Sequence, residues 1–307
     1  MGGIDPVLLL ASLMVASTPI LLAALGELVV ERAGVLNLGV EGMMIMGAVI
    51  GFVAAYSTSS PTLGFVAAAI GGAVMALLFG VLTQVLLSNQ VATGLALTLF
   101  GLGLSSLIGQ PYAGLSAPKT DALHLPLLSD IPVLGPILFR HHPMVYVSLL
   151  LVLGVWAVLR HTRAGLILRA VGENHDAAHA LGYRVVSIRL AAIAFGGALA
   201  GLGGAYLSLV RVPQWTEGMT AGAGWIALAI VVFASWRAPW VLVGAYLFGG
   251  VSVLQLNLQA AGAKIPVEYL TMSPYLVTIL VLVLISARGG SRSATPASLA
   301  KPFHASS

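Results

Sequence analysis

The sequence contains no cysteine and very little charge. Of its 307 residues, only 8% are Asp, Glu, Lys or Arg, whereas 59% are hydrophobic. The absence of cysteine excludes disulfides, thiolate nucleophiles and cysteine-ligated metal or iron–sulfur sites. A soluble domain carries about 25% charged residues. The scarcity of charge and the mean hydropathy of +1.01 therefore exclude a soluble fold and predict an all-α, polytopic membrane protein.

Signature patterns of several enzyme classes are also missing. The chain has no P-loop pattern G-x-x-x-x-G-K-[ST], no H-E-x-x-H and no G-x-S-x-G, and it lacks an intramembrane aspartate pair. We therefore predict a non-catalytic protein without a cofactor or metal site. The net charge of +4 is spread thinly over loops, which argues against nucleic-acid binding. The opening MGGIDPVLLL lacks a basic segment, so the first apolar run is expected to be a retained span.

Nine apolar runs reach or approach the roughly 20 residues that a membrane-spanning helix needs. The shorter runs leave eight or ten spans as alternatives. Arginines concentrate in 160–189 and basic residues recur in 291–307, so the positive-inside rule places both segments, including the C-terminus, in the cytoplasm. We predict a transmembrane domain over 1–290, with a cytoplasmic loop at 160–189, and a flexible cytoplasmic tail over 291–307. The nine runs are 6–25, 38–56, 62–87, 91–110, 144–160, 188–212, 223–236, 239–258 and 273–287.

Two parts of the chain share a spacing that suggests an inverted repeat. Pro61 precedes the glycine pair at 71–72 by the same distance as Pro239 precedes the pair at 249–250. The predicted topology puts Pro61 outside and Pro239 inside, and inverted repeats are common in alternating-access transporters. Chance coincidence in a chain with 36 glycines is the equal alternative.

The cytoplasmic loop contains a short predicted helix within GENHDAAHALGYRV. Asn174 is suited to the N-cap, Asp176 to the first turn and Gly182 to the C′ position. A helix this short is unstable alone. It is therefore expected either to dock on a partner or to lie on the membrane surface as a connector.

Two segments resemble a known family. GELVVERAGVLNLGVEGMMIMGA (26–48) and RAVGENHDAAHALGYRV (169–185) are similar to the permease subunits of bacterial ABC importers. The resemblance is to the branch with simple-sugar, branched-chain amino-acid and purine-nucleoside permeases, and most to the nucleoside type. It implies that the short helix is the coupling helix, which docks on a cytoplasmic ATPase. The coupling positions carried over are Gly172, Asn174, Ala177, Ala178 and Gly182.

The resemblance also implies partners and a location. The ATPase is expected to be a separate chain, and a substrate-binding protein or lipoprotein is expected to capture the solute outside. A second permease subunit, a different chain in most importers of the nucleoside type, would complete the path through the lipid bilayer. The location implied is the bacterial inner membrane.

Polar residues within apolar runs are the candidates for the solute pathway. Asn37 and Glu41 would share one face if their segment is helical, and intramembrane ionisable groups commonly face a cavity or a partner. The alternative is that Glu41 ties a broken helix end to backbone amides or to Arg32. Further candidates are Gln84 and Thr93, with a structural turn as the alternative, and Gln255 and Gln259 on one helical face.

The predicted function is the permease subunit of an ATP-driven importer, which provides the alternating-access path for a small polar solute, with a nucleoside as the first candidate. A sugar of the ribose type is the second. A stand-alone secondary transporter that uses Glu41 as a proton or cation site is the alternative mechanism.

Overall fold

The computed structural model describes residues 6–124, 129–260 and 295–304, together with isolated positions between 266 and 283. This part of the chain is built from α-helices, and its extended pairing is limited to an isolated bridge between Ser116 and Gln214. The helices are α1 (Pro6–Arg32), α2 (Val40–Thr58), α3 (Pro61–Gly80), α4 (Gln90–Gly109), α5 (Pro143–His161), α6 (Arg163–Glu173), α7 (His175–Ala180), α8 (Val185–Tyr206), α9 (Ala223–Phe233) and α10 (Ala238–Ala260).

Seven of the described helices are long and apolar enough to cross a membrane. They are α1, α2, α5 and α10, together with α3, α4 and α8, which continue as helix to Val85, Tyr112 and Arg211. The apolar α9 is shorter, with 11 residues. The all-α, polytopic prediction is confirmed, and eight of the nine predicted runs coincide with these helices. The ninth run, 273–287, lies largely outside the described residues.

Glycine allows the central helices to pack backbone against backbone. A Cβ at Gly47 of α2 would overlap the backbone of Gly201 on α8, and one at Gly204 would overlap the Met44 carbonyl. In a bilayer, helices gain little from hydrophobic burial against each other, so close packing of small residues supplies much of their association energy. The centre of the bundle is therefore α2, α3 and α8, with α1 packed along α8.

The helix contacts repeat in a crossed pattern. α3 and α2 pack on α8, while α10 and α9 pack on α1. Exchanging α1 with α8, α2 with α9 and α3 with α10 reproduces these contacts. Gly72 of α3 lies against the backbone of Gly197 on α8, and Gly249 of α10 lies against Ser17 on α1. One glycine of each pair thus lies against the exchanged helix, the second of the pair 71–72 and the first of the pair 249–250. The repeated helix contacts support the predicted inverted repeat.

Candidate functional site

The chain breaks between α1 and α2, within the polar segment that interrupts the apolar sequence. Asn37 lies in this break, not on α2, because its side-chain oxygen accepts a hydrogen bond from the backbone N–H of Gly39 at 2.9 Å. Its amide nitrogen donates to the Met43 sulfur at 3.4 Å. The condition for a helix face shared by Asn37 and Glu41, a helix over both residues, is therefore not met, because α2 begins only at Val40. Such Asx turns compete with helical hydrogen bonding.

Glu41 joins α2 to the first turn of α9. One carboxylate oxygen accepts hydrogen bonds from Thr220 Oγ1 at 2.5 Å and Gly222 N at 2.9 Å. The other accepts from Gly224 N at 2.7 Å. Only 4% of Glu41 is exposed. The anion thus caps amides that a helix N-terminus leaves unpaired, where the helix dipole also favours it.

The geometry around Glu41 requires glycine on α9. A Cβ at Gly224 would lie 2.5 Å from Glu41 N and 2.6 Å from its Cα. Gly222 has φ +84°, in the left-handed region. From this point α9 runs to Phe233, and in the turn that follows, the backbone carbonyl of Trp236 accepts hydrogen bonds from Arg32 at the end of α1. A helix of 11 residues rises about 16 Å, so Glu41 lies well inside the membrane domain.

Two further glutamates lie near the C-terminal end of α1, just before the break. Glu27 accepts a hydrogen bond from the backbone N–H of Asn37 at 3.2 Å. Glu31 accepts from Trp236 Nε1 at 2.5 Å. Both are buried, and each ties α1 to a segment outside it, Glu27 to the break and Glu31 to the turn after α9. The three glutamates of the segment 26–48, Glu27, Glu31 and Glu41, therefore serve three separate connections.

Gln90, at the start of α4, is a buried polar residue that is not among the predicted pathway candidates. Its side-chain oxygen accepts from Leu36 N at 2.9 Å, while its amide nitrogen has no hydrogen-bond partner among the described residues. Thr98, also on α4, donates to the Leu38 carbonyl at 3.1 Å. α4 thus flanks the break, and Gln90 brings an unsatisfied donor to it. The available signal was a glutamine directly before the apolar run 91–110.

The other predicted pathway residues lie apart from Glu41. Gln84 accepts from Arg189 Nη1 at 3.1 Å, and Thr93 is hydrogen-bonded to Ser88 at 2.8 Å. Gln255 and Gln259 are half-buried near the far end of α10. The structure therefore brings Asn37 and Glu41 into one region and distributes the remaining candidates, whose pathway roles stay predictions.

Arg189 connects four segments at the opposite end of the break. It is fully buried. Its Nε donates to the Ala33 carbonyl at 3.2 Å, and its Nη2 lies 3.1 Å from His175 Nδ1 on α7. Nη1 donates to Gln84 and also to the Lys301 carbonyl at 3.3 Å. From the sequence, Arg189 contributed only to the prediction that 160–189 is cytoplasmic, because its partners are distant in the chain and no local pattern indicates them.

The capping predictions for α7 are confirmed. Asn174 is the N-cap, and its side-chain oxygen accepts from Ala177 N at 2.9 Å. Gly182 has φ +88°, and its N–H donates to the His179 carbonyl while Tyr183 N donates to the Ala178 carbonyl. This pair of bonds is a Schellman motif. α7 is thus delimited at both ends by its own neighbouring residues.

The five predicted coupling residues divide into two groups. Gly172 and Ala178 are buried, and a Cβ on Gly172 would overlap the Arg32 carbonyl. Asn174, Ala177 and Gly182 are exposed, together with Leu181, whose exposure is 78%. The first group holds the loop to the membrane domain. The second group and Leu181 form an outward surface with an unusually exposed leucine.

The C-terminal segment lies on the inner side of α7. Sequence reasoning expected a flexible tail, but residues 295–304 pack against the loop. Ser298 N donates to the Gly172 carbonyl at 2.9 Å. Phe303 is buried, with its ring 5.4 Å from that of His175 and 5.2 Å from that of His179. The loop and the tail therefore share one side of the membrane domain, as predicted from their basic residues.

Comparisons with known proteins agree with this arrangement. The family model described as branched-chain amino acid transport system, permease component, matches residues 9–285. A putative glucose ABC transporter permease, TsgC13 of Haloferax volcanii, is 40% identical over 96% of this chain and 97% of its own length. The nucleoside permease NupC of Lactococcus lactis is 32% identical, over 90% of this chain and 92% of its own. The guanosine permease NupQ of Bacillus subtilis is 32% identical, over 88% and 89%.

No solved structure matches the chain. The family match covers the membrane domain almost completely and includes both the segment 26–48, with the break between α1 and α2, and the α7 loop. Permeases of this family work with an ATPase and a substrate-binding protein. The chain therefore belongs to the branched-chain amino-acid type of permease components and is a multi-pass ABC transporter permease.

Proposed function

We propose that this permease is the non-catalytic membrane subunit of an importer and that ATP hydrolysis on a separate ATPase moves it through α7. The observation that carries the proposal is a continuous chain of contacts. It runs from α7 through His175 and Arg189 to Ala33, along the break, and through Glu41 to α9. A displacement of α7 would therefore reach the middle of the membrane domain without passing through flexible chain.

The break is suited to alternating access. Discontinuous helices whose N-termini meet inside the membrane provide polar groups without a complete helical hydrogen-bond ladder. The N-termini of α2 and α9 meet at Glu41, so a relative shift of the two inverted units would open or close this region. Asn37, Glu41 and the unsatisfied amide of Gln90 are the groups we assign to it.

A nucleoside is the first candidate solute, because the segments 26–48 and 169–185 most resemble nucleoside-type permeases. The relatives NupC and NupQ are named as nucleoside and guanosine permeases. A sugar is the second candidate, since TsgC13 is named a putative glucose permease and shares 40% identity. Both solutes present hydroxyl groups, but only the nucleoside adds an aromatic base.

The remaining parts of the proposed transporter lie on other chains. They are an ATPase on the cytoplasmic side, a second, different permease, and a binding protein or lipoprotein outside. The cell membrane is the bacterial inner membrane, with the loop 160–189 and the C-terminus in the cytoplasm. The secondary-transporter alternative is disfavoured because the oxygens of Glu41 are already occupied by α9.

Reconstitution tests the transport function. The permease, its ATPase, its second permease and the binding protein would be incorporated in liposomes, and uptake of radiolabelled guanosine and glucose measured with and without ATP. We expect ATP-dependent uptake of one of them, with guanosine preferred. Uptake by this chain alone without ATP would instead establish a secondary transporter.

Docking on the ATPase has a separate test. We expect Leu181→Glu to abolish co-purification with the ATPase, because a charge would replace an exposed apolar side chain on α7's outer surface. Leu123→Glu makes the same change at a half-exposed leucine (40%) in the long loop between α4 and α5, on the predicted outer side, and should leave binding intact. Equal ATPase binding by both variants contradicts docking through this surface.

A further inference from the structure

Four arginines and three tryptophans meet at one end of the membrane domain, outside the contact chain of the proposed function. They line a cavity of about 490 Å³. The arginines come from the ends of α1 and α5, from α6 and from the turn before α10. The residues are Arg32, Arg160, Arg169 and Arg237, with Trp156, Trp236 and Trp240.

The cavity lies at a membrane boundary. α1 ends at Arg32, α5 ends at His161 and α10 begins at Ala238, so three apolar spans stop at this level. Tryptophan concentrates at the membrane–water interface because its indole is apolar with one polar N–H. Trp240 is 52% exposed at the mouth of the cavity. The α7 loop follows α6 on the same side of the domain.

The lining is strongly positive. The described residues that form it include no acidic side chain. Glu31 lies behind the cavity, where it is buried and accepts from Trp236 Nε1. Arg32 is anchored by the Trp236 carbonyl, whereas Arg160 and Arg237 are exposed. Arg160 also lies 5.9 Å above the ring of Trp156, which holds its guanidinium at the mouth.

An apolar groove adjoins the basic cavity. It has a volume of about 640 Å³ and lies among α5, α6 and α8. Leu159 lines both the basic cavity and the apolar groove, so the two adjoin at this residue. An occupant that satisfies both has a phosphate group and a long apolar chain.

We propose that this composite site binds an anionic phospholipid of the cytoplasmic leaflet. The phosphate lies among Arg160, Arg169 and Arg237, and one acyl chain passes Leu159 into the groove beside α8. Basic pockets between membrane helices on the cytoplasmic side bind anionic headgroups by the same electrostatic attraction. Because α6 leads directly into α7, the bound lipid braces the loop that meets the ATPase.

The test is a binding titration on the full-length chain purified in detergent. Dioleoyl phosphatidylglycerol and dioleoyl phosphatidylcholine would be added separately, and lipid adducts counted by native mass spectrometry. We expect the anionic lipid to bind at least tenfold more tightly. The doubly substituted Arg160→Gln, Arg237→Gln chain should bind it about 25-fold more weakly, from a loss of about fivefold for each arginine near a charged headgroup.

Two controls separate this site from general basic attraction and from a soluble phosphate site. Arg184→Gln removes an exposed arginine of the same cytoplasmic loop that does not line the cavity, and it should leave lipid binding unchanged. Glycerol 3-phosphate carries the phosphate without acyl chains and should not compete at concentrations equal to the lipid.

Three results would overturn the proposal. They are equal binding of the two lipids, equal losses in the Arg184→Gln and double variants, and competition by glycerol 3-phosphate at the lipid's own concentration. The melting temperature of each variant without lipid confirms that it is folded, since the exchanged side chains are exposed. Transport activity is not the readout, so failure here leaves the proposed import function standing.

Discussion

The N-termini of α7 and α9 solve the same problem in different ways. α7 is capped by Asn174, three residues before the amide that it binds. α9 is capped by Glu41, which precedes Gly224 by 183 residues. One cap is therefore written in the local sequence, and the other exists only after the two halves of the chain have packed. Loss of the first should loosen one small helix, while loss of the second should separate two halves of the membrane domain.

The largest effect is expected from Glu41→Ala. It leaves the amides of Gly222 and Gly224 and the hydroxyl of Thr220 without their acceptor, and each unpaired buried group costs about 1–3 kcal/mol. We expect the folded chain to lose about 3 kcal/mol or more, seen as a lower melting temperature in detergent and faster hydrogen exchange over 220–226.

Glu41→Gln and Glu217→Gln sharpen this result. The glutamine at 41 keeps one acceptor but turns an N–H₂ group towards α9, so it should lose an intermediate amount of stability. Glu217 is exposed and accepts from Ser106 Oγ, so its substitution should change stability by less than about 0.5 kcal/mol. Normal folding with lost uptake in Glu41→Gln would instead support direct contact with the solute.

The second-largest effect is expected from Gly224, the α9 residue that packs against Glu41. Gly224→Ala places a Cβ 2.5 Å from Glu41 N, so α2 and α9 must move apart. Overpacking of this kind costs about 1–3 kcal/mol. Thermal unfolding measures it. Gly103→Ala on α4 is the matched control, because nothing lies within 4 Å of its Cβ position; an equal loss there would show that glycine itself, not the contact, matters.

A smaller effect is expected from Asn174→Ala on α7. Loss of an N-cap costs about 1 kcal/mol, and here it should be confined to the loop. We expect weaker ATPase binding and faster exchange of the α7 amides, while the melting of the membrane domain stays unchanged. Asn174→Asp keeps the acceptor oxygen and should retain binding. A drop in the global melting temperature of Asn174→Ala would contradict a purely local cap.

The smallest effect is a pH dependence of the contact between α7 and the C-terminal segment. Burial lowers the pKa of His175 below its usual value, with Arg189 and Lys301 acting in the same direction and Asp176 opposing them. A detached His175 then binds more protons than the packed one. The contact is therefore at full strength above the ordinary histidine pKa of about 6.5 and weakens as the pH falls below it.

Hydrogen exchange of the α7 amides, corrected for intrinsic rates, measures this change between neutral and mildly acidic solution. In His175→Asn the side-chain oxygen can still accept from Arg189, but the group does not titrate. Its protection should not depend on pH. If protection of the α7 amides in the unsubstituted chain is also independent of pH, His175 does not control the contact.

Local features account for what could be predicted. The apolar runs predict the described spans because a bilayer demands about 20 apolar residues regardless of their neighbours. Asn174 and Gly182 predict the ends of α7 because their partners lie within a few residues. Asn37 does not share a helix face with Glu41, because its short side chain bonds to the nearby Gly39 backbone and α2 begins only at Val40.

The sequence by itself determined the membrane class, the positions of the described spans and the limits of α7, because hydrophobicity and capping act over short distances. Only the tertiary structure decided what Glu41 and Arg189 do. Their partners are remote in the chain, and a buried charge binds whichever donors or acceptors the packed backbone presents to it. The same packing gathered four arginines from separate segments into one basic cavity.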